Sequence, residues 1–390
     1  MSNLLIYAET ILFGKELTVK KDHCLIISDG KIKEILPKRD GLAKIQPGWE
    51  VIDLGKVTLM PGMIESHNHL ALDARLHGHL EMMDSEPSKL TILALNSLKD
   101  DLLSGVTTAR CMGDRHYIDT TLKEEIANGR VIGPNLIVSG IGMRGRHGHG
   151  FVGIPHSGVE EIRKTCRENL FRGCDHLKVF ITGGAPPENS THIPYYLSFE
   201  EIKTVVDEGA QLGVTVSSHC IGGQGLKVAV AAGVHAFDHL YCASDEEIEL
   251  LIKNDKWAVL TSGVFLDPAR EEFCPPKKVA AVRRCREQVR ERMKTLIKSG
   301  IKYALGTDGN HTFLYKEVVY ARELGASAVD ALKGVTVRAA ELCGISHKTG
   351  YIHDNMDADI IAVKGNPLED ANTLKNVCFV MKNGVIYKRF

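Results

Sequence analysis

The chain has little that would tie it to a nucleic acid, a membrane or an oxidising compartment. Among its 390 residues Lys and Arg number 48 against 49 Asp and Glu, a formal net charge of -1. No basic surplus is available for phosphates, so neither nucleic acid nor an anionic membrane is an expected partner. No run of about 18 apolar residues occurs, and no spanning helix is expected. Met1 to Glu9 lack a basic leader region, and Glu9 interrupts the apolar stretch, so the segment reads as strand rather than signal peptide. The ten cysteines, from Cys24 to Cys378, form no C-x-x-C pair. In a chain this large they read as reduced thiols of a cytoplasmic protein, with Cys220 and Cys242 as small buried hydrophobes. No low-complexity stretch or short repeat stands out.

What is present divides into three parts. Residues 1–57 and 351–390 read as short strands with turn signals, Asp29-Gly30 and Asn383-Gly384 being hairpin cues. Leu4 to Phe13 reads as one strand, followed by His23 to Ser28 and Lys31 to Leu36. Neither end has enough residues for a core of its own, so the two are expected to pack together as one small β-sandwich domain. Residues 58–350 alternate apolar strand runs with helical patterns. One of these opens on the capping box Ser198 to Glu201. Eight strand-helix units give an α/β fold, a (β/α)8 TIM barrel.

Six polar residues fall at the C-terminal ends of five predicted barrel strands: His67, His69, Lys178, His219, His239 and Asp308. Barrel enzymes place their chemistry at that end. His67 and His69 are two apart, which puts both imidazoles on one side of an extended strand. Loop histidines, a surface lysine and a helix-capping aspartate are the plainer readings. An apolar strand leading into each residue argues against them. His176 and His235 share the inward face but lie deeper, and read as hydrogen-bonded core residues.

With these residues in place the chain resembles the amidohydrolase superfamily, in the branch of imidazolonepropionases and Xaa-Pro dipeptidases. The resemblance rests on Pro61-Gly62-Met63-Ile64-Glu65-Ser66-His67-Asn68-His69, Leu177 to Gly184, Ala304 to Asp308 and Asp357 to Leu368. It implies that His67, His69 and Asp308 hold one metal and His219 and His239 a second. Lys178 matches the position where a carboxylated lysine bridges the two ions. A free ammonium beside two cations would be strongly disfavoured, whereas a carbamate is an anionic ligand. Imidazole and carboxylate donors suit Zn²⁺, with Mn²⁺, Fe²⁺ or Co²⁺ also compatible. Imidazolonepropionases use one metal and lack this lysine, so Lys178 favours the two-metal, dipeptidase-like side. Asp308 would be both ligand and general base.

The resemblance implies that the loop from Gly140 to Gly150 faces the substrate through His147 and His149, and Arg144 and Arg146 are candidates to pair a carboxylate. A solvated glycine-rich loop is the plain alternative. Arg115, Tyr195, Tyr196, Tyr241, Asn310 and His311 follow strand ends and are further pocket candidates. The expected activity is hydrolysis of a C–N amide bond in a small carboxylate-bearing molecule, such as a dipeptide or N-acyl amino acid. Opening of a cyclic amide, deamination of a ring, and a non-catalytic scaffold are the competing readings. The expected partner is a small-molecule substrate, and a homo-oligomer is compatible with the sequence.

Overall fold

The computed structural model describes residues 3–188 and 190–390; Met1 and Ser2 of the leader segment, and Asn189, lie outside them. Eight parallel strands run in chain order through the middle of the protein: β1 (Met63–Asn68), β2 (Val106–Cys111), β3 (Asn135–Ile137), β4 (His176–Phe180), β5 (Thr215–Cys220), β6 (Ala236–His239), β7 (Trp257–Leu260) and β8 (Lys302–Leu305). β1 to β3 form one sheet, and β4 to β8 a second that is extended at its β4 edge by the short strands Met143–Gly145 and Ile154–His156. Backbone hydrogen bonds bridge both gaps. Asp308 N donates to His67 O at 3.0 Å, beside β8 and β1, and Asp175 N donates to Val138 O at 2.8 Å, between β3 and β4. The arrangement is consistent with the barrel expected from the sequence.

All residues of β1, β2 and β4 are buried. A parallel strand covered on both faces reads as an apolar run, which is why these segments stood out in the sequence. The helix Phe199–Ala210 starts where the capping box placed it, with Ser198 Oγ accepting from Glu201 N at 3.2 Å and Glu201 returning the bond to Ser198 N at 2.8 Å.

Strands from the two chain ends interleave. One sheet has the order Val385–Arg389, Val377–Lys382, Ile360–Val363, Thr58–Pro61, Thr10–Phe13 and Thr18–Lys21; a second contains Lys31–Pro37, His23–Ser28, Leu4–Tyr7 and Glu50–Asp53. Ile6, Leu25 and Ile52 share an apolar cluster with Ile360 and Phe379. Thr58–Pro61 lies beyond the expected boundary at residue 57, yet it pairs with both ends. The single strand expected over Leu4 to Phe13 is two strands in different sheets. Both hairpin cues hold: Asp29 and Gly30, and Asn383 and Gly384, all have positive φ, the conformation such two-residue turns require. The two turns touch. A side chain at Gly384 would sit 2.6 Å from Gly30 Cα.

Candidate metal centre and substrate pocket

His67 belongs to β1, His69 follows it by one residue, and Asp308 lies three residues beyond β8 with a φ of 56°. Glu65 holds these two segments together. Its buried carboxylate accepts from His67 N at 2.8 Å and from Thr307 N at 3.1 Å. As a result His67 Nε2 and His69 Nε2 stand 3.4 and 3.6 Å from one oxygen of Asp308. These three side chains can converge on one ion.

The other histidines complete the floor. The ring centres of His67 and His239 are 4.8 Å apart, and those of His219 and His239 are 4.5 Å apart. Each outward nitrogen has a protein partner: His69 Nδ1 with Gly113 O at 2.9 Å, His239 Nδ1 with Thr261 Oγ1 at 2.8 Å, and His219 Nε2 with Gly183 O at 3.1 Å. The remaining nitrogen of each ring is left for a ligand, the usual arrangement of metal-bound imidazoles. Burial, aided by the charge of neighbouring histidines, lowers the pKa of His69 to about 4 and pushes His219 and His239 well below the usual histidine range. They are therefore neutral at pH 7, as metal ligation requires. Burial opposes ionisation of Asp308, but the hydrogen bond and charge of His67 outweigh it and hold the carboxyl well below its ordinary value. The donor set fits one or two divalent ions.

Lys178 is fully buried in the middle of β4. Its ammonium is paired with Asp238, whose second contact is His67 Nδ1 at 3.5 Å. Burial lowers the Lys178 pKa, and the attraction of Asp238 offsets this only in part. Asp238 itself is held ionised by Lys178 against its own burial. Strand alternation gave no sign of Asp238, because it precedes His239 and should face the opposite way. His239 has a φ of 78°, so the strand ends there and the alternation fails. No sequence signal marked Glu65 either, apart from its place two residues before His67.

The pocket above this floor takes only two of the expected substrate contacts. His149 lines it and packs against His219 with ring centres 4.6 Å apart. Gly184 makes room, since a Cβ there would lie 2.5 Å from the His149 ring. Tyr241 also lines the pocket, but its hydroxyl donates to Thr261 O at 3.0 Å.

The other candidates do not line this pocket. Arg144 donates to the backbone oxygens of Arg146 and Gly148 at 3.3 and 3.2 Å, and Arg146 is exposed with Nε on Ser157. His147 is exposed, set edge-on to Tyr196. Tyr196 packs over Gly148, and Tyr195 is an exposed residue against Gly225. Arg115 clamps Met83 O and Asp84, at 2.9 and 2.6 Å. His311 is buried with Nδ1 2.8 Å from Asp101, and Asn310 faces a neighbouring cleft. The pocket instead draws two cations that the sequence did not single out, Arg270 and Lys278. Arg270 comes from a short turn after β7 and Lys278 from the first turn of the helix Pro276–Lys298. Neither position carries a motif.

Among the described residues no helix is long and apolar enough to cross a membrane. The chain is 27% identical to ochratoxinase of Aspergillus niger over 368 residues, 85% of this chain and 75% of that protein. It is 22% identical to imidazolonepropionase of Kosmotoga olearia, with 89% and 85% covered. In three dimensions it matches the crystal structure of a Xaa-Pro dipeptidase with bound methionine in the active site, at 28% identity and a TM-score of 0.88, covering 99% of this chain and 100% of that one. The profile of the amidohydrolase family matches residues 58–387. The chain belongs to the amidohydrolase family, and it is a hydrolase of C–N bonds.

Proposed function

We propose that the protein is a binuclear metal-dependent hydrolase that cleaves the amide bond of a small carboxylate-bearing substrate, a dipeptide or an N-acyl amino acid. The observation that carries this reading is the convergence of His67, His69, His219, His239 and Asp308 on one pocket floor, with Lys178 buried beneath it. The site sits on a closed (β/α)8 barrel formed by residues 58–350, with residues 1–57 and 351–390 as a β-sandwich domain, in a cytoplasmic protein. Similarity to a Xaa-Pro dipeptidase supports the substrate class.

His67, His69 and Asp308 would hold one ion, His219 and His239 the other, and a carboxylated Lys178 would link them; Zn²⁺ suits the donors best. When bound, the ions supply Lewis acidity that lowers the pKa of a water nucleophile and polarises the scissile carbonyl. Carboxylation needs the Lys178 ammonium to give up a proton, which burial favours by lowering its pKa. The amine nitrogen then bonds the carbon of carbon dioxide and releases a second proton to solvent, and the carbamate nitrogen would keep one N–H for Asp238. Asp308, ionised at pH 7, takes a proton on its carboxylate and returns it to the leaving nitrogen. Tyr241 and Thr261 fix the His239 ring. His149, half-buried in the pocket and kept neutral by burial, is placed to donate to or accept from the substrate.

Metal analysis with a hydrolysis screen tests the proposal. About two equivalents of metal per chain and turnover of dipeptides or N-acyl amino acids are expected. One equivalent, with activity confined to cyclic amides, would instead favour the ring-opening reading that the imidazolonepropionase similarity supports.

A further inference from the structure

Arg270 and Lys278 line the same pocket as the metal-type ligands and come from different elements. Arg270 is 8% exposed, so its guanidinium is largely withdrawn from water. Nη1 donates to Thr307 O at 3.0 Å and Nη2 to Asp308 O at 3.3 Å. These bonds use two of the five guanidinium N–H groups and leave three without an acceptor among the described residues. Lys278 is half-buried. Neither cation pairs with an Asp or Glu among the described residues, and the pocket's one carboxylate, Asp308, belongs to the metal-type set. Charges withdrawn from water are ordinarily paired, so a largely buried guanidinium and a half-buried ammonium that share a pocket without a direct ion pair mark a place for an external anion.

Local structure strengthens the point. Lys278 lies in the first turn of a 23-residue helix whose first turn has no acidic residue. A cation there opposes the helix dipole, and a bound anion relieves both the dipole and the ammonium. Burial and the charge of Arg270 together push the Lys278 pKa down. Leu80, Phe151, Val152 and Val264 add apolar surface to the same lining, which holds no carboxylate besides Asp308.

We infer that Arg270 and Lys278 form the carboxylate-recognition pair of this pocket. The substrate's carboxylate docks between them and an apolar group lies against the apolar part of the lining. The inference deepens the proposed function and rests on it for the identity of the scissile bond. Arg270 also fixes the segment that carries Asp308, which makes it a positioning residue as well as a hydrogen-bond donor to the anion.

The test uses metal-loaded protein and two pairs of probes. Hydrolysis of N-acetyl-L-phenylalanine is compared with that of its C-terminal amide, and calorimetric binding of 3-phenylpropanoate with that of 3-phenylpropanol. Wild type is expected to favour the acid by about tenfold or more in kcat/KM and in Kd, the scale of one charge-assisted contact. Lys278→Met should bring both ratios below about threefold, and Lys278→Arg should restore them, which a merely structural lysine would not do. Ratios unchanged in Lys278→Met would overturn the inference, since the metals alone would then hold the carboxylate. If neither acid nor amide is hydrolysed but acid binding still depends on Lys278, the proposed reaction fails while the recognition pair stands.

Discussion

Lys178 and Asp238 form an ion pair that solvent does not touch, both side chains having no exposed area. Removing one partner of such a pair leaves an unpaired charge in a medium that cannot solvate it. Asp238→Asn is therefore expected to lower the stability of the metal-free protein by about 3 kcal/mol, measured by urea unfolding. The double variant Lys178→Met/Asp238→Leu should recover most of that loss. Strictly additive losses would show that the two side chains do not act as a pair.

Lys178→Ala is expected to bind about one metal equivalent instead of two and to lose most activity. Short carboxylic acids should restore part of both, because they replace the missing anionic ligand. Metal analysis with and without added propionate reads the outcome. Wild-type metal content and turnover in this variant would remove Lys178 from the centre.

Asp308→Asn is nearly isosteric and should keep the fold, confirmed by circular dichroism. If Asp308 moves the proton, kcat should fall by roughly 10² to 10⁴. Metal content has to be measured in parallel, since Asp308 is also a candidate ligand. A variant that turns over like wild type refutes its role.

Stability of the metal-free protein should depend on pH in a defined direction. His69 titrates near 4 in the folded chain against 6.5 in its ordinary state, and His219 and His239 are depressed by the same burial. A base with a depressed folded pKa binds more protons when unfolded, so its contribution is intact above pH 6.5 and is lost as pH falls toward 4. For His69 alone the loss reaches roughly 3 kcal/mol. Urea midpoints from pH 8 to pH 4 should decline through this window. A flat profile would contradict neutral buried imidazoles.

The strand ends were legible because two signals coincide there, an apolar run and a polar ligand at its close. His67 and His219 illustrate this, each next to last in a strand buried almost throughout; Lys178, expected at a strand end, sits in the middle of its strand. The loop after β3, rich in Gly, Arg and His, was legible only in part: His149 lines the pocket, whereas Met143–Gly145 and Ile154–His156 pair as two short strands and Arg144 holds its own backbone. Arg270 and Lys278 were invisible for the opposite reason. They reach the pocket through long side chains from a turn and a helix start, positions that neither period 2 nor period 3.6 marks.

The interleaving of the two chain ends bears on the order in which the protein matures during synthesis. Thr58–Pro61 runs directly into β1, and its antiparallel partner is Ile360–Val363, some three hundred residues later. Gly62 N likewise donates to Asp359 O at 2.9 Å. While the ribosome is still translating the middle of the chain, the strand that presents His67 has an unpaired edge on its leading segment. Completion of the sheet that leads into β1 is thus a late event, reached when residues 359–363 emerge and dock. A nascent or prematurely terminated chain would carry the histidines without the scaffold that aims them, and would expose a sticky strand edge for cellular quality control to recognise.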